Sequence, residues 1–444
     1  MSAALINLIA FIVAISVLVA VHEFGHYIVG RCCGMKVLRF SIGFGKPLWT
    51  WIAGEDRTEY CISAIPLGGY VKFLDEREGP VDPADQGRAF NHRPIPARIA
   101  VLLAGPAFNF LFALIAYWVL SMQGLPTLRP VIGPVEPDSY AAEAGLLPEE
   151  LLVAVGDQAV DNWGTALLSI LDEMVATGQV PLVVQDNEGD ERRVTIHVGD
   201  DRTRLTEPGE LLTGLGFMPG QPLAIAEWVE AGAAADRAGI RPGDRIISVN
   251  GESTVTFGDL AAVIVELPDR TVPIRIVRDG RQETLYVDIA AVETADGVVG
   301  RIGVSPRFLR QFGAVAAIGE SFSRTGRETA FTVRMLWHMV TGQVSIKNIS
   351  GPISIAKYVG DSARAGFSYV LTVLALISIS LGVLNLLPIP ILDGGQIVYQ
   401  SVEWIKGSPM SDRAQMLGQQ AGILAILLLM SFAFYNDIAR MFSS

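Results

Sequence analysis

Nineteen consecutive residues, Ala3–Val21, carry no charge, and no Lys or Arg precedes them. At about 1.5 Å per helical residue such a run crosses most of a hydrocarbon layer roughly 30 Å thick. Lipid offers no partner to a backbone N–H or C=O, so a segment this long and this apolar folds as a helix that satisfies itself. Three further stretches qualify. Ile99–Leu120 has Asn109 as its one strongly polar residue, Ser368–Pro388 carries Ser378, Ser380 and Asn385, and Gly418–Tyr435 is nearly all aliphatic. The expected architecture is a polytopic α-helical membrane protein with four transmembrane helices, at about 3–29, 98–121, 367–389 and 418–436. A composition that is 50% hydrophobic and only 18% charged agrees. A secretory signal is the other reading of the first run; it is set aside because no basic residue leads in and no small-residue cleavage site follows.

Charge then orients the chain. Between Leu125 and Gln311 there are 15 Arg, no Lys and 30 acidic residues, a charge of −15 against −12 for the whole chain. This separates an acidic, water-facing block from the apolar ends. The loop from Arg31 to Arg98 holds 10 Lys and Arg, which by the positive-inside rule makes it cytoplasmic. The acidic block and both termini then face outward. No basic stripe exists to neutralise phosphates, which argues against nucleic acid as a partner. Cys32, Cys33 and Cys61 form no disulfide framework and read as reduced thiols on the cytoplasmic side.

The acidic block repeats itself. AEAGLLPEELLVAVGDQAVDNW aligns without gaps, at an offset of 94, with DRAGIRPGDRIISVNGESTVTF, matching Ala144 to Ala238, Gly145 to Gly239, Pro148 to Pro242, Val155 to Val249 and Trp163 to Phe257. Each copy resembles a PDZ domain of the bacterial protease-associated kind. That resemblance implies an α+β module that captures a chain end by adding it to a sheet edge. The expected organisation is a membrane half at 1–124 with a cytoplasmic loop at 30–97, PDZ domains at 125–215 and 216–307, an outward amphipathic helical region at 308–365, and a second membrane half at 366–444. In the first copy Glu149 and Glu150 stand where the second has Gly243 and Asp244, which makes ligand binding there less secure.

The first span closes on VHEFGH. His22 and His26 are four apart and share a helix face, with Glu23 beside them, the pattern of a zinc hydrolase helix. A pair of buried histidines satisfied by hydrogen bonds is the plain alternative, but ionisable groups at the end of a span are expensive and point to function. Catalytic zinc needs a third protein ligand and an open position. His92, His197 and His338 lie in polar or alternating contexts and read as surface or packing residues. NLLPIPILDGG, Asn385 to Gly395, is the better source: Pro388 and Pro390 break the helix, Gly394 and Gly395 let the backbone turn, and Asp393 can face a polar hollow. A solvated helix cap is the competing reading of Asp393.

HExxH in the first span, Asn-x-x-Pro-x-Pro-x-Leu-Asp-Gly in a later one, AGPAFNF in the second and PDZ copies between them resemble the site-2 protease family of intramembrane zinc metalloproteases. The resemblance implies one Zn2+ per chain, held by His22, His26 and Asp393, with Glu23 as general base and Asn385 holding the substrate strand. Gly105 to Asn109 would pack a small-residue face against the catalytic helices. It further implies a bacterial inner-membrane location with the PDZ domains and both termini periplasmic and the active site towards the cytoplasm. The substrates implied are single-pass membrane proteins such as an anti-sigma factor, or remnant signal peptides, cut after an earlier outside cut in envelope stress signalling. Two stretches of the loop are candidates for holding the unwound substrate, as the resemblance implies for this membrane-associated β region: FSIGFGKPLW with Gly43 and Gly45, and YCISAIPLGGYVKF, whose alternation and Gly68-Gly69 suggest a β-hairpin with a free edge; an amphipathic surface hairpin without substrate contact is the plain alternative. AVAAIGESFSRTGRETAFTVRMLWHMVTG reads as an amphipathic helix resting on the outer surface of the bilayer, with ordinary packing against the second repeat as the alternative. A non-catalytic membrane PDZ scaffold would need neither the His-Glu-His helix nor the Asp393 segment. A divalent-metal transporter would scatter its ligands along a path.

Overall fold

The four apolar runs each become one long helix. A computed structural model describes residues 3–186, 189–294 and 297–443, which form two units: Met1–Gln123 with Phe312–Leu336 and Ile349–Ser444, and Gly124–Gln311 with Trp337–Asn348. The first holds helices α1 (Ala3–Cys32), α2 (Ile95–Gln123), most of α3 (Ala314–Val340), α4 (Pro352–Ala365), α5 (Phe367–Asn385), α6 (Asp393–Lys406) and α7 (Asp412–Ser443). Of these, α1, α2, α5 and α7 are long and apolar enough to cross a membrane. The molecule is a helical membrane protein that carries a sheet-rich domain.

Small residues let the first two spans meet. A Cβ on Gly25 would stand 2.8 Å from the Ala104 carbonyl carbon and 3.0 Å from the Phe108 ring, so the spacing of α1 and α2 requires glycine there. α5 approaches α2 the same way: a Cβ on Gly382 would lie 3.2 Å from Phe110 and 3.4 Å from the Pro106 carbonyl. Ser378 of α5 donates to the Asn109 carbonyl at 2.9 Å. The third span ends at Asn385, short of the expected 389, because the prolines that follow cannot continue it. The chain turns through Leu386–Leu392 and restarts as α6, where Gly394 and Gly395 press on the Leu386 to Pro390 backbone. α7 docks at two places. Gly418 and Gly422 form a notch for Pro390, and Asp437 accepts from the Gly351, Ile353 and Ser354 N–H groups at the start of α4.

The cytoplasmic-loop expectation needs one correction. Gly68 and Gly69 are not a hairpin turn; β1 (Val37–Ala53) and β2 (Thr58–Phe73) are two long antiparallel strands joined at Gly54 to Arg57. Both strands bend, so that Phe40 pairs with Tyr60 on one side and Val71 on the other, and Ile42 with Ile62 and Gly69. The bends are where the glycines sit: Gly43 has a φ of 92°, and a Cβ on it would meet the Ile65 and Ser63 carbonyls at 2.9 Å. Leu48, Trp49, Trp51 and Ile52 are exposed along the far rim, an apolar edge suited to a bilayer interface.

The second unit is the repeat made visible. Each copy has a four-stranded antiparallel sheet of the same order: Gln158–Ala159, Leu151–Val155, Gln179–Gln185, Glu191–His197 in the first, and Glu252–Ser253, Arg245–Val249, Thr271–Arg278, Arg281–Asp288 in the second. Period-2 burial packs Ile246, Ile274, Ile276 and Val287 of the second into one core with Leu260 and Ile264 of its helix Phe257–Val265. Phe217–Pro219, beyond the expected boundary at 215, pairs with Ile132–Val135 and so belongs to the first copy. Leu125–Thr127 pairs with Phe308–Arg310, closing the block at its two ends. The Glu149-Glu150 departure leaves the turn intact. Glu150 accepts from Leu147 N at 2.9 Å and Arg192 Nε at 2.7 Å, as Asp244 does from Arg241 N at 2.7 Å and Arg278 Nε at 2.8 Å. Glu149 adopts the left-handed backbone (φ 68°) that Gly243 adopts at 95°.

Candidate metal centre

α1 brings the two imidazoles side by side because four residues make just over one helical turn. His22 Nε2 and His26 Nε2 are 3.2 Å apart. Asp393, the first residue of α6, places Oδ2 3.2 Å from the former and 3.5 Å from the latter. That oxygen is buried and has no partner beyond the two rings. All three residues are largely screened from solvent, with His22 and His26 each 8% exposed.

α2 fixes which ring nitrogens face the centre. His26 Nδ1 donates to the Val101 carbonyl at 2.8 Å, which leaves Nε2 as a bare lone pair. His22 Nδ1 lies 3.1 Å from Asn109 Nδ2, while Asn109 Oδ1 is buried without a partner, so the amide turned over places that oxygen on Nδ1. With that oxygen on Nδ1, the second ring is held in the same tautomer. Two lone pairs and a carboxylate oxygen aimed at one spot repel each other unless a cation lies between them. The spacing suits zinc: ligands at 2.0–2.1 Å around a tetrahedral ion stand about 3.3 Å from one another. Gly105 completes the cradle, since a Cβ there would overlap His26 Nε2 and lie 2.7 Å from His22 Cε1.

Glu23, also 8% exposed, is not among the converging atoms. It lies beside them with the Val71 backbone N–H as a hydrogen-bond partner. Gly69 of β2 is packed against it: a Cβ there would meet Glu23 Cγ at 3.0 Å and Val19 Cγ1 at 2.7 Å. Of the four glycines singled out in the loop, Gly69 alone reaches α1. Gly43, Gly45 and Gly68 face Ser63, Ile65 and Phe44 within the sheet. Asn385 ends α5 half-buried, and no hydrogen bond among the described residues joins its amide to the cluster. Pro388 is exposed in the turn, while Pro390 is seated against α7. The three remaining histidines stay outside. His92 pairs with Glu76 at 2.6 Å, His338 with Gln343 at 2.5 Å, and His197 is exposed at a strand end. The roles of the Val101 carbonyl and of Ser378 escaped the sequence reading; a serine inside a span was the one available signal.

The model of peptidase family M50 matches residues 10–429. The chain is 40% identical to the Regulator of sigma E protease of Salmonella typhi and 38% identical to the Regulator of sigma-E protease RseP of Escherichia coli, in each case over 98% of this chain and 99% of the relative. Relatives from Neisseria meningitidis and Vibrio cholerae, each 39% identical over 98% of this chain and 99% of the relative, carry zinc metalloprotease in their names. Zinc is the metal of this enzyme. The chain belongs to peptidase family M50 and is a site-2 type zinc metalloprotease of regulated intramembrane proteolysis.

Proposed function

We propose that the protein hydrolyses a peptide bond within the transmembrane segment of single-pass membrane proteins of the anti-sigma factor type, after an earlier cut outside the membrane, with His22, His26 and Asp393 as its zinc ligands. The observation that carries this reading is the meeting of two oriented imidazoles and a carboxylate within 3.5 Å, with Glu23 at their side. Zinc bound there supplies Lewis-acid polarisation of the scissile carbonyl and lowers the pKa of water. Glu23 accepts the proton of the attacking water and delivers it to the leaving amine nitrogen. Asn109 and the Val101 carbonyl hold the imidazoles in the tautomer that binds metal. A helical substrate hides its carbonyls in its own hydrogen bonds and must be drawn out. The Gly69–Phe73 stretch of β2, next to Glu23, is the edge to which an extended segment adds, and Gly43, Gly45 and Gly68 shape the bends that put it there. Asn385, at the end of α5 and followed by the turn that Pro388, Pro390 and Gly394 shape, is assigned to holding the substrate strand.

The two repeats are PDZ domains on the outward, periplasmic face of a bacterial inner membrane, and they screen substrates by size or by peptide end. The basic loop supports this sidedness. Glu23→Gln tests the chemistry. The variant keeps its zinc and loses turnover by about 10²- to 10⁴-fold, and in membranes it accumulates uncut single-pass proteins that mass spectrometry identifies; residual cleavage near the parent rate would remove Glu23 from its role. Replacing Leu125–Gln311 by a flexible linker tests the screen. The shortened protein cuts a full-length single-pass substrate as well as a trimmed one, whereas a stable deletion protein that still cuts the trimmed form alone rules the screen out.

A further inference from the structure

α2 reads as a ruler. Val101, Gly105 and Asn109 lie at intervals of four on one stripe, and each touches an imidazole. One turn before them on the same stripe stands Arg98, which reaches α6. Its Nη2 donates to Glu403 Oε1 at 2.7 Å and its Nη1 to Oε2 at 3.2 Å, a two-pronged bond between residues 305 apart in sequence. The guanidinium side chain is 9% exposed and the carboxylate 21%.

Neither charge suits its own helix. Arg98 sits in the first turn of α2 and Glu403 in the last turn of α6, so each charge opposes the dipole of the helix that bears it. A buried ion pair is also a poor source of net stability, because desolvation offsets the attraction. Asp75, another carboxylate in the field of Arg98, is gripped instead by Arg77 at 2.9 and 2.6 Å. α6 needs such a tether. Its glycine end is pressed into the turn before it and its middle is held by the buried Gln400 and by Tyr399 against Gly418 of α7, but Val402, Trp404 and Ile405 in the last turns are exposed, Ile405 to 90%. Asp393 begins this helix ten residues, about 15 Å, from Glu403.

We propose that Arg98 and Glu403 are positioning residues that set the tilt of α6 on α2, and through it the place of Asp393 opposite the two imidazoles. This rests on the reading of Asp393 as a zinc ligand. The pair touches neither metal nor substrate; it completes the row of α2 contacts by which one helix aligns all three donors.

The test uses full-length protein in detergent with cobalt(II) in place of zinc, because the visible spectrum of cobalt reports ligand geometry in the folded fraction whatever its amount. Arg98→Gln and Glu403→Gln are each expected to shift and weaken the cobalt bands. Each is also expected to lower zinc affinity by roughly 10- to 100-fold in competition with a chelator, the range for residues that orient ligands. Arg98→Lys, which keeps the charge and loses one prong, falls between, and the exchange Arg98→Glu with Glu403→Arg restores the parent spectrum. Where a glutamine variant does not fold, the lysine variant carries the measurement. Parent-like cobalt bands and zinc affinity in a folded Arg98→Lys or Glu403→Gln protein overturn the proposal, as does an exchange variant that folds without restoring them. Asp393→Ala separates the two readings. If that variant keeps parent-like zinc, the ligand assignment itself falls; if it loses zinc while the Arg98 and Glu403 variants keep it, the positioning role alone does.

Discussion

The helical unit and the sheet-rich unit both bury charge, and they do so differently. In the sheets the same device appears twice: Glu150 with Arg192 and Asp244 with Arg278, each arginine also donating to the carbonyl of the matched glycine, Gly145 or Gly239, at 2.7 Å. Among the helices His22, His26, Asp393 and Glu23 meet once, with three of them leaving lone pairs aimed at a common point. A buried polar arrangement that recurs at a sequence offset is explained by the turn it closes. One that occurs once and leaves its acceptors unpaired is explained by what it binds.

The largest effect expected on this distinction is Asp393→Ala, which removes one of three donors and lowers zinc affinity by more than about 10²-fold while the repeats melt as before. Zinc content by atomic absorption, read beside the thermal transition of the sheet-rich unit, checks both halves. A variant that holds one zinc as tightly as the parent would return Asp393 to the role of a helix cap. Next in size is Asp244→Ala. It takes the two-pronged carboxylate from Arg278, leaving Glu283 at 3.3 Å and the Gly239 carbonyl at 2.7 Å, and lowers the stability of the second repeat by about 2 kcal/mol, with zinc content unchanged. Loss of zinc in proportion to that melting would show that the two units are not independent. The smallest effect is Gly243→Ala. No atom lies within 4 Å of the added Cβ, so only the left-handed backbone resists, by about 1 kcal/mol. A drop of several kcal/mol in a denaturant titration would mean that Glu149, which holds the same conformation in the first copy, is supported by something the second copy lacks.

The sequence was most legible where the partners are close along the chain. HExxH is a statement about one helical turn, and the offset of 94 a statement about one duplicated block, so both could be read directly. Asp393 was legible for another reason: two prolines and two glycines leave no choice but a break at that depth. What stayed hidden depends on contacts across long separations. The amide of Asn109 and the ring of His22 are 87 apart, and Arg98 and Glu403 are 305 apart; no local pattern announces either meeting. The loop was misread at Gly68 because glycine marks a bend as readily as a turn. Glu149-Glu150 looked like an erosion of Gly-Asp because identity was compared, whereas the fold needs an acid at the second position and tolerates strain at the first.

The row Arg98, Val101, Gly105, Asn109 has a mechanical consequence in a fluid medium. Bilayers differ in thickness, and a span that does not match its surroundings tilts or slides until it does. With α6 tethered to α2 as proposed above, α1, α2 and α6 are expected to respond as one body, so that the spacing of His22, His26 and Asp393 does not follow lipid chain length. α7 is held otherwise, at the Gly422 notch and at Asp437, fifteen residues or about 22 Å apart along the helix, with Leu424, Leu427 and Leu428 turned outward between. Thickness is then expected to be taken up by the last span, leaving the spacing of the three proposed ligands insulated from the membrane around them.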